Sequence, residues 1–482
     1  MSESVPRVSV VIPTKNAGPL FEHTLKAIRD QRFAGPTEIV VIDSGSIDGT
    51  VARSKAYGAR IVRVAPSQFG HGCTRNEAIS QCHGQYVVLI VQDAVPADPF
   101  WLSSLVQALD EHPDAAGTYS RHLPKEGARF IAQYVATYWY RQQGGHVVQR
   151  IDDPTAFDVL PIEEKQRRCT FNNVSSIIRR SVWEQIPFRD VSFGEDLAWG
   201  YDVLRAGHSI IYEPDSLVRH SHERSLWYEF RRAYLDAKTV GELFHEQAHP
   251  LSVWQVARLC GLWRWACTFA NALCYQEGVG GALFLQKAIR DERVLYRESF
   301  SSKTLVYIFG GMSPYGEAER RDLLWVLARD YDDRGGQGRA ACATELQTQT
   351  PSTDSGRERL DQRINEAVWN NDDTALTERD IDFIYERLWD DIGRDYVRRA
   401  VGEEAISGPD RGFFALRIRI REFANEFIEA ALQEGVLTPR LYHDICLYAA
   451  ATLIGRRLGF ANCNGAGGRW GRALDAWLPR GI

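Results

Sequence analysis

Short runs of β-branched and apolar residues alternate with helical patterns at the start of the chain, and this alternation is what most constrains the fold. The runs are residues 8–12, 38–42, 59–64 and 86–91. Strands that alternate with helices form a parallel sheet, because each helix carries the chain back to the edge at which the strand began. The sequence therefore predicts an α/β domain with a mostly parallel sheet.

Polar residues follow three of these runs, where the chain leaves the predicted sheet. Residues 13–16 follow the first run, residues 43–50 the second, and Asp93 the fourth. Ligands of open α/β sheets bind beyond the carboxyl ends of the strands. Asp43 is suited to accept hydrogen bonds from a base or ribose, and Asp93 offers the hard oxygen that Mg²⁺ or Mn²⁺ prefers when it bridges a diphosphate. For each aspartate alone, an ordinary turn residue is the alternative.

Glu195 and Asp196 form an acidic pair between two aromatic residues, Phe193 and Trp199. Apolar residues recur at helical spacing after the pair, so both carboxylates are predicted in the first turn of a helix, where the helix dipole favours their ionised form. An ionised carboxylate half enclosed by these aromatic residues is suited to act as a general base. A helix cap without a catalytic role is the alternative.

Further residues are candidates for phosphate or sugar contacts, each with a structural alternative. Arg75, in the glycine-containing loop of residues 69–76, is suited to pair with a phosphate or to form a surface salt bridge. Asn172 and Asn173 are suited to bind sugar hydroxyls or to form a turn. The aromatic residues 138–140 are suited to stack on sugar rings or, at helical spacing, to pack in the core.

Composition excludes several classes of protein. The 482 residues exceed what one hydrophobic core usually supports, so two or more domains are expected. A formal net charge of -6 provides no global field for nucleic acid, so no nucleic-acid partner is predicted. The cysteines are odd in number and form no CxxC pair, which favours reduced thiols in a cytoplasm, and no secretion signal is predicted from the first residues.

The second half of the chain is predicted to be helical. Residues 253–274 have apolar residues at helical spacing, but arginines keep the uncharged stretch below the roughly 20 residues that span a bilayer. Tryptophans near these arginines favour a helix at a membrane surface, which would suit a lipid-linked acceptor, and packing against the catalytic domain or another subunit is the alternative. The predicted linker is residues 334–358, and the predicted later helices are residues 364–388, 413–432 and 441–458.

The order of these motifs resembles that of inverting family 2 glycosyltransferases, which have the GT-A fold, a Rossmann-like nucleotide-sugar module. The resemblance covers residues 7–245 and rests on Pro13-Thr14-Lys15-Asn16, Asp43-Ser44-Gly45-Ser46-Ile47-Asp48-Gly49-Thr50, Arg75-Asn76, Gln92-Asp93-Ala94, Glu195-Asp196 and His220-Ser221-His222. The loop of residues 69–76 and residues 92–96 and 172–176 resemble the rhamnosyltransferase branch in particular. That likeness implies a deoxythymidine-diphosphate (dTDP) rhamnose donor.

The resemblance also implies roles for individual residues. It implies nucleotide-sugar contacts for Pro13, Thr14, Asn16, Asp43, Ser46, Arg75, Asn76, Gln92 and Asp93, and contacts with the donor or acceptor sugar for Asn172, Asn173, Glu195 and Trp199. Asp196 is the implied base.

A divalent cation, Mn²⁺ or Mg²⁺, is the implied cofactor, with Asp93 and His220 as its ligands and His222 as a ligand of the metal or the diphosphate. These enzymes usually carry Asp-x-Asp, whereas this chain has Val91 in place of the first aspartate. The metal site is therefore expected to have one carboxylate fewer. Its imidazole ligand favours Mn²⁺ over Mg²⁺.

Taken together, these features predict a metal-dependent inverting hexosyltransferase that transfers a sugar from a nucleotide diphosphate to a hydroxyl of a glycan or lipid-linked saccharide. The alternatives are a nucleotide-sugar-binding scaffold that has lost catalysis, which Val91 favours, and transfer of another sugar such as galactofuranose or an N-acetylhexosamine. The predicted location is the cytoplasm, at the inner face of the membrane.

Four regions are predicted along the chain. Residues 1–245 are the predicted GT-A catalytic domain, residues 246–333 a helical extension for membrane or subunit contacts, residues 334–358 the linker, and residues 359–482 a helical domain for dimerisation or acceptor docking.

Overall fold

The computed structural model describes residues 5–141, 144–246, 376–388 and 411–477, together with isolated residues between 305 and 367. The chain divides into two compact units, one formed by Met1–Ser252 with Ala451–Ile482 and the other by Val253–Ala450. This division separates the end of the predicted C-terminal domain from its beginning. The predicted amphipathic helix of residues 253–274 and the predicted linker lie outside the described residues.

The described part of the first unit contains a sheet of nine strands. In chain order they are β1 Val8–Thr14, β2 Thr37–Asp43, β3 Arg60–Arg63, β4 Tyr86–Ile90, β5 Val95–Pro96, β6 Ala115–Leu123, β7 Val147–Gln149, β8 Ser175–Arg179 and β9 Ser209–Arg219.

Helices connect and cover these strands. Those of the N-terminal region are α1 Phe21–Arg29, α2 Thr50–Ala56, α3 His71–Ser80, α4 Trp101–Glu111, α5 Phe130–Arg141, α6 Pro154–Asp158, α7 Ile162–Arg168, α8 Arg180–Trp183, α9 Glu195–Arg205 and α10 Leu226–Leu243. The later ones that the structure describes are α11 Glu378–Arg387, α12 Arg411–Gln433, α13 Pro439–Asn462 and α14 Gly468–Trp477. Helices α12 and α13 include the predicted helices of residues 413–432 and 441–458.

The strand order places several strand ends at one edge of the sheet. The order is β3-β2-β1-β4-β8-β6-β9-β5, and β7 also pairs with β9. Strands β1 to β4, β6 and β9 point in the same direction, whereas β5, β7 and β8 run opposite to them. The sheet is thus mostly parallel, as predicted. The carboxyl ends of β1, β2, β4 and β9 and the start of β8 therefore meet at the same edge.

Apolar side chains fill both faces of this sheet. Along β4, Tyr86, Val88 and Ile90 belong to one buried cluster, whereas Val87 and Leu89 belong to the other. A strand that is buried on both faces requires apolar residues at successive positions, which explains the uninterrupted run from which β4 was predicted. The sheet is therefore a rigid support for the loops at its carboxyl edge.

The end of α13 packs closely on α10 through two glycines. A Cβ atom added to Gly459 would lie 2.2 Å from the carbonyl oxygen of Tyr234, and one added to Gly455 would lie 2.5 Å from that of Phe230. In α14, the carboxylate of Asp475 forms an ion pair with Lys238 of α10, with 2.8 Å between Nζ and Oδ2. These contacts explain why the last residues of the chain group with the first unit.

None of the helices in the described part of the chain is both long enough and apolar enough to cross a membrane.

Candidate active site

Two loops at the carboxyl edge of the sheet are tied to each other by hydrogen bonds. The backbone N–H of Asn16, after β1, donates to the Ser46 hydroxyl oxygen at 2.8 Å, and the side-chain oxygen of Asn16 accepts the Ile47 N–H at 2.9 Å. The carboxylate of Asp48 accepts the Gly18 N–H at 2.7 Å. Asn16 has a φ of 47°, a left-handed conformation that asparagine tolerates better than most residues. Asn16 and Ser46 therefore lie side by side in one connected wall.

Thr14 and Asp43, at the ends of β1 and β2, share a buried hydrogen bond of 3.1 Å from Oγ1 to Oδ1. The other carboxylate oxygen accepts the N–H groups of Gly45 at 3.1 Å and Ser46 at 2.9 Å. An ionised carboxylate has about four acceptor positions, and these three hydrogen bonds leave one acceptor position at Oδ1. The partly buried ring of Pro13 precedes Thr14 on β1.

Gln92 connects the end of β4 to the loop after β1. Its side-chain oxygen accepts the backbone N–H of Lys15 at 2.9 Å, and its amide group donates to the carbonyl oxygen of Lys15 at 3.5 Å. The side chain of Gln92 is thus engaged by the protein backbone. This contact joins the residue before Asp93 to the loop after β1.

Asp93, His220 and His222 form a cluster of metal-ligand type where β4 and β9 end. One ligand atom from each residue lies within 4.8 Å of the others. Nε2 of His220 is 3.6 Å from Oδ1 of Asp93, and Nδ1 of His222 is 3.7 Å from Oδ2. The two imidazole rings are nearly perpendicular, at 89°. One carboxylate oxygen and two imidazole nitrogens that converge in this way fit a divalent transition-metal ion such as Mn²⁺.

The charges around this cluster suit metal binding. Burial alone would raise the pKa of Asp93, but hydrogen bonds and positive charge from His220 and Lys125 hold it well below its ordinary range. Burial, together with the nearby charges of His220 and Arg224, lowers the pKa of His222 to about 3. Asp93 is therefore ionised and His222 neutral, which are the forms that bind metals.

Val91, two positions before Asp93, is a packing residue. Its backbone N–H donates to the carbonyl oxygen of Val174 at 3.1 Å, which extends the pairing of β4 with β8. Its partly buried side chain packs against one of the two core clusters. The position at which relatives were expected to carry an aspartate is therefore used here to continue the apolar core.

Glu195 and Asp196 begin α9, as predicted from the acidic pair, and Gly194 precedes them with a φ of 70°. Glu195 is buried, and its Oε1 lies 2.5 Å from Nη1 of Arg75. The side-chain amide of Asn173 donates to the same oxygen at 3.3 Å. Burial opposes ionisation, but Arg75 and His71 hold the pKa of Glu195 below its ordinary value. Glu195 is therefore an ionised group that the protein itself neutralises.

Asp196 has a different environment from its neighbour. Its two carboxylate oxygens accept the backbone N–H groups of Leu197 at 2.9 Å and Asn173 at 3.3 Å, and its side chain is partly exposed. Burial and the adjacent charge of Glu195 raise the pKa of Asp196 to about 7. A carboxylate with this pKa is suited to take up a proton near neutral pH.

The donor contacts that were implied for Arg75 and Asn76 stay predictions, and the structure shows which protein groups these two side chains bind. Arg75 is 5% exposed and pairs with Glu195. The side chain of Asn76 donates to the Phe188 carbonyl oxygen at 2.8 Å and accepts the Trp183 indole N–H at 2.8 Å. Arg75 supports the acidic pair, because a buried carboxylate requires a cation beside it. Asn76 supports the segment before the pair through its hydrogen bonds with Phe188 and Trp183.

The sugar contact that was implied for Trp199 stays a prediction, and the structure places this side chain in the core. Trp199 has no exposed surface, and its indole N–H donates to the Ile186 carbonyl oxygen at 2.8 Å. Its ring packs against Phe171 and Phe188, with centroid distances of 4.7 and 5.4 Å. The helical spacing that predicted α9 places Trp199 on the face of the helix that enters the core.

The two asparagines before β8 serve as connectors. Asn172 closes a turn by accepting the Val174 N–H at 3.0 Å, and its amide donates to the hydroxyl of the buried Tyr140 at 3.4 Å. Asn173 is 2% exposed and contacts both carboxylates of the acidic pair. The contact that was implied between Asn173 and a sugar stays a prediction, while the hydrogen bonds of Asn173 go to the acidic pair.

Two residues near the cluster were missed by the sequence analysis. Nζ of Lys125, just beyond β6, lies 2.9 Å from Oδ2 of Asp93. The imidazole of His122 is buried, with its ring 5.7 Å from that of His220. The pairing of β6 with β9 brings the end of β6 beside His220. This pairing joins residues far apart in sequence, so the sequence analysis could not place Lys125 and His122 near the cluster.

The sequence is similar to those of known glycosyltransferases. A sequence profile described as glycosyl transferase family 2 matches residues 9–159. The O-antigen chain rhamnosyltransferase RfbN of Salmonella typhimurium is 30% identical over 234 residues, which are 47% of this chain and 70% of that protein. The O-antigen chain rhamnosyltransferase WbaN of Salmonella anatum is 25% identical over 234 residues, which are 48% of this chain and 71% of that protein.

Among the solved structures to which this chain is similar is a mannosyltransferase from Pyrobaculum calidifontis in complex with GDP-Man and Mn²⁺. It is 21% identical to this chain, with a TM-score of 0.38, and the match covers 51% of this chain and 66% of that one.

Proposed function

The chain belongs to the family 2 glycosyltransferases, and from this premise we propose that it transfers rhamnose from dTDP-rhamnose to a hydroxyl of a glycan or lipid-linked saccharide, with inversion at the anomeric carbon. One observation carries the mechanism. The segment Asn172-Asn173-Val174 connects the acidic pair to the strand that leads to the metal-ligand cluster. The Asn173 N–H donates to the Asp196 carboxylate, and the Val174 carbonyl oxygen accepts the N–H of Val91, two residues before Asp93.

Asp196 is the proposed base in this mechanism. Inverting transfer by single displacement needs a carboxylate that removes the proton of the acceptor hydroxyl as that oxygen attacks the anomeric carbon. Of the two carboxylates in the pair, Glu195 is buried and neutralised by Arg75, whereas Asp196 is partly exposed and has a pKa raised to about 7. Glu195 positions Asp196 and keeps its proton affinity high.

Asp93, His220 and His222 are the proposed ligands of the cofactor, for which we propose Mn²⁺. Bound there, the cation would supply positive charge to the diphosphate that leaves with the nucleotide. The donor set supports this choice, since imidazole nitrogens suit Mn²⁺ better than Mg²⁺. The wall of Thr14, Asp43, Asn16 and Ser46 holds the nucleoside in this proposal, and Asp43 Oδ1 offers the acceptor position described above.

Support for rhamnose and for a glycan acceptor comes from the two O-antigen chain rhamnosyltransferases named above. Support for transfer at the inner face of the membrane comes from the pattern of residues 253–274, where tryptophans lie near arginines. Sedimentation with vesicles that contain anionic lipid tests the second point. A protein that stays in the supernatant would contradict membrane association without affecting the donor.

The donor is tested by thermal unfolding with a panel of nucleotide sugars in the presence of Mn²⁺. A donor that binds only the folded state raises the unfolding temperature, and dTDP-rhamnose should raise it more than UDP-galactofuranose or UDP-N-acetylglucosamine. A larger rise with another donor would replace rhamnose in the proposal.

The base is tested by the release of dTDP from dTDP-rhamnose, with and without an acceptor extract. Asp196→Asn should lower turnover by about 100-fold or more while donor binding stays intact. The matched control is Asp202→Asn on the same helix, where the carboxylate pairs with the exposed Arg189. Turnover of Asp196→Asn equal to that of the control would remove the base assignment. Binding of the donor by the wild-type protein without any turnover would favour the scaffold alternative.

A further inference from the structure

We propose that Lys125 contacts the diphosphate leaving group, and that its ammonium exchanges the Asp93 carboxylate for the diphosphate when the cation binds Asp93. This inference rests on the proposed function and deepens it, because it adds a catalytic side chain to the same site.

The backbone around Lys125 is fixed beside the metal-ligand cluster. The Lys125 N–H donates to the Ser221 hydroxyl oxygen at 3.0 Å, and the His220 N–H donates to the Leu123 carbonyl oxygen at 2.8 Å. The side chain reaches from this anchored backbone to Asp93 and keeps 38% of its surface exposed. A lysine side chain with this exposure can turn toward a new partner without moving the backbone.

Lys125 and the proposed cation compete for the same carboxylate. Nζ of Lys125 is 2.9 Å from Oδ2 of Asp93, the oxygen that Nδ1 of His222 approaches to 3.7 Å. A divalent cation held by Asp93 and the histidines would repel an ammonium at this distance. The released ammonium then needs an anion close by, and the diphosphate of the donor arrives with the cation.

The neighbouring charges single out Lys125 for this role. Arg224, another cation near the cluster, lies 3.9 Å from Glu229 and stacks on the Tyr228 ring at 4.8 Å. Its partners are not proposed ligands, so Arg224 keeps them when the metal binds. The partner of Lys125 is Asp93 itself, a proposed metal ligand, so the metal competes directly with this lysine.

Manganese and inorganic pyrophosphate are the probes, because neither depends on the identity of the nucleoside or the sugar. Calorimetry of the nucleotide-free protein should show Mn²⁺ binding to Lys125→Met about fivefold more tightly than to the wild type, since the competing ammonium is gone. Pyrophosphate binding at saturating Mn²⁺ should be about tenfold weaker, since a charge-assisted hydrogen bond is lost. Lys125→Arg, which keeps the charge, should remain close to wild type in pyrophosphate binding.

The matched control is Lys26→Met, which removes a lysine that pairs with Asp30 on the exposed side of α1. It should change neither affinity. If Lys125→Met leaves either affinity unchanged while Asp93→Asn abolishes Mn²⁺ binding, the role of Lys125 is wrong and the metal site stands. If Asp93→Asn keeps wild-type Mn²⁺ binding, the metal site of the proposed function is wrong and the role of Lys125 is overturned with it.

Discussion

Arg75 and Glu195 form an almost fully buried ion pair, with 2.5 Å between Nη1 and Oε1, and this pair joins α3 to α9 across 120 positions of sequence. Glu195 keeps its charge because Arg75 lies beside it, and burial together with that charge raises the pKa of Asp196. Two adjacent carboxylates thereby acquire different proton affinities, which is the usual way in which a pair of acids is given separate roles.

Replacing Arg75 with methionine should lower the free energy of unfolding by about 3–5 kcal/mol, because the Glu195 carboxylate would remain buried without its partner. Denaturant unfolding measures this loss. The matched control is Arg189→Met, whose exposed pair with Asp202 should contribute less than about 1 kcal/mol. A loss for Arg75→Met no larger than that of the control would show that the pair does not stabilise the fold.

Sequence could predict the position of the acidic pair but not its partner. The pair precedes apolar residues at helical spacing, and α9 begins at Glu195 as expected. An arginine after a glycine loop looks the same whether it faces a phosphate or a buried acid, so Arg75 could be assigned only once α3 and α9 were seen in contact. The same limit applies to Trp199, because periodicity does not show which face of α9 enters the core.

Activity should fall in acid with a midpoint near pH 7, because the base must be ionised and the pKa of Asp196 is raised to about 7. Glu195→Gln removes the adjacent negative charge and leaves Arg75 in place, so the pKa of Asp196 should fall. The acid limb of kcat/KM should then move to lower pH by about one unit or more. Initial rates across neutral pH measure this limb.

The control for this pH profile is Glu164→Gln, which removes an acid that pairs with Arg167 on the surface of α7. It should leave the acid limb where it is in the wild type. An acid limb of Glu195→Gln that stays in place or moves to higher pH would contradict the assignment of Asp196 as the titrating base.

Val91→Asp, which restores the expected Asp-x-Asp pattern, should not tighten Mn²⁺ binding. The side chain at this position packs against the core, so the new carboxylate would lose hydration and lower the free energy of unfolding by about 1–3 kcal/mol. Val159→Asp is the control, because Val159 is 81% exposed and should tolerate the charge. Binding of Mn²⁺ about tenfold tighter than in wild type would mean that position 91 faces the metal after all.

The sequence could predict those parts of the fold that depend on contacts between residues close together in the chain. It could not predict the parts that depend on contacts between residues far apart in the chain. Alternating strands and helices predicted the parallel strands β1 to β4. The antiparallel strand β8 between β4 and β6 depends on pairings between residues far apart in sequence, for which local patterns give no signal. The return of residues 451–482 to the first unit is a second case, since the glycines that permit it resemble ordinary helix residues in sequence.

Gly459→Ala should destabilise the first unit, because the new methyl group would lie 2.2 Å from the Tyr234 carbonyl oxygen, which is backbone and cannot turn away. Alanine is favoured over glycine in a helix by about 0.5–1 kcal/mol, but overpacking costs about 1–3 kcal/mol, so a net loss of stability is expected. Gly145→Ala is the control, because a methyl group there meets nothing within 4 Å. Thermal unfolding compares the two variants, and a Gly459→Ala protein as stable as the control would show that α13 does not pack tightly on α10.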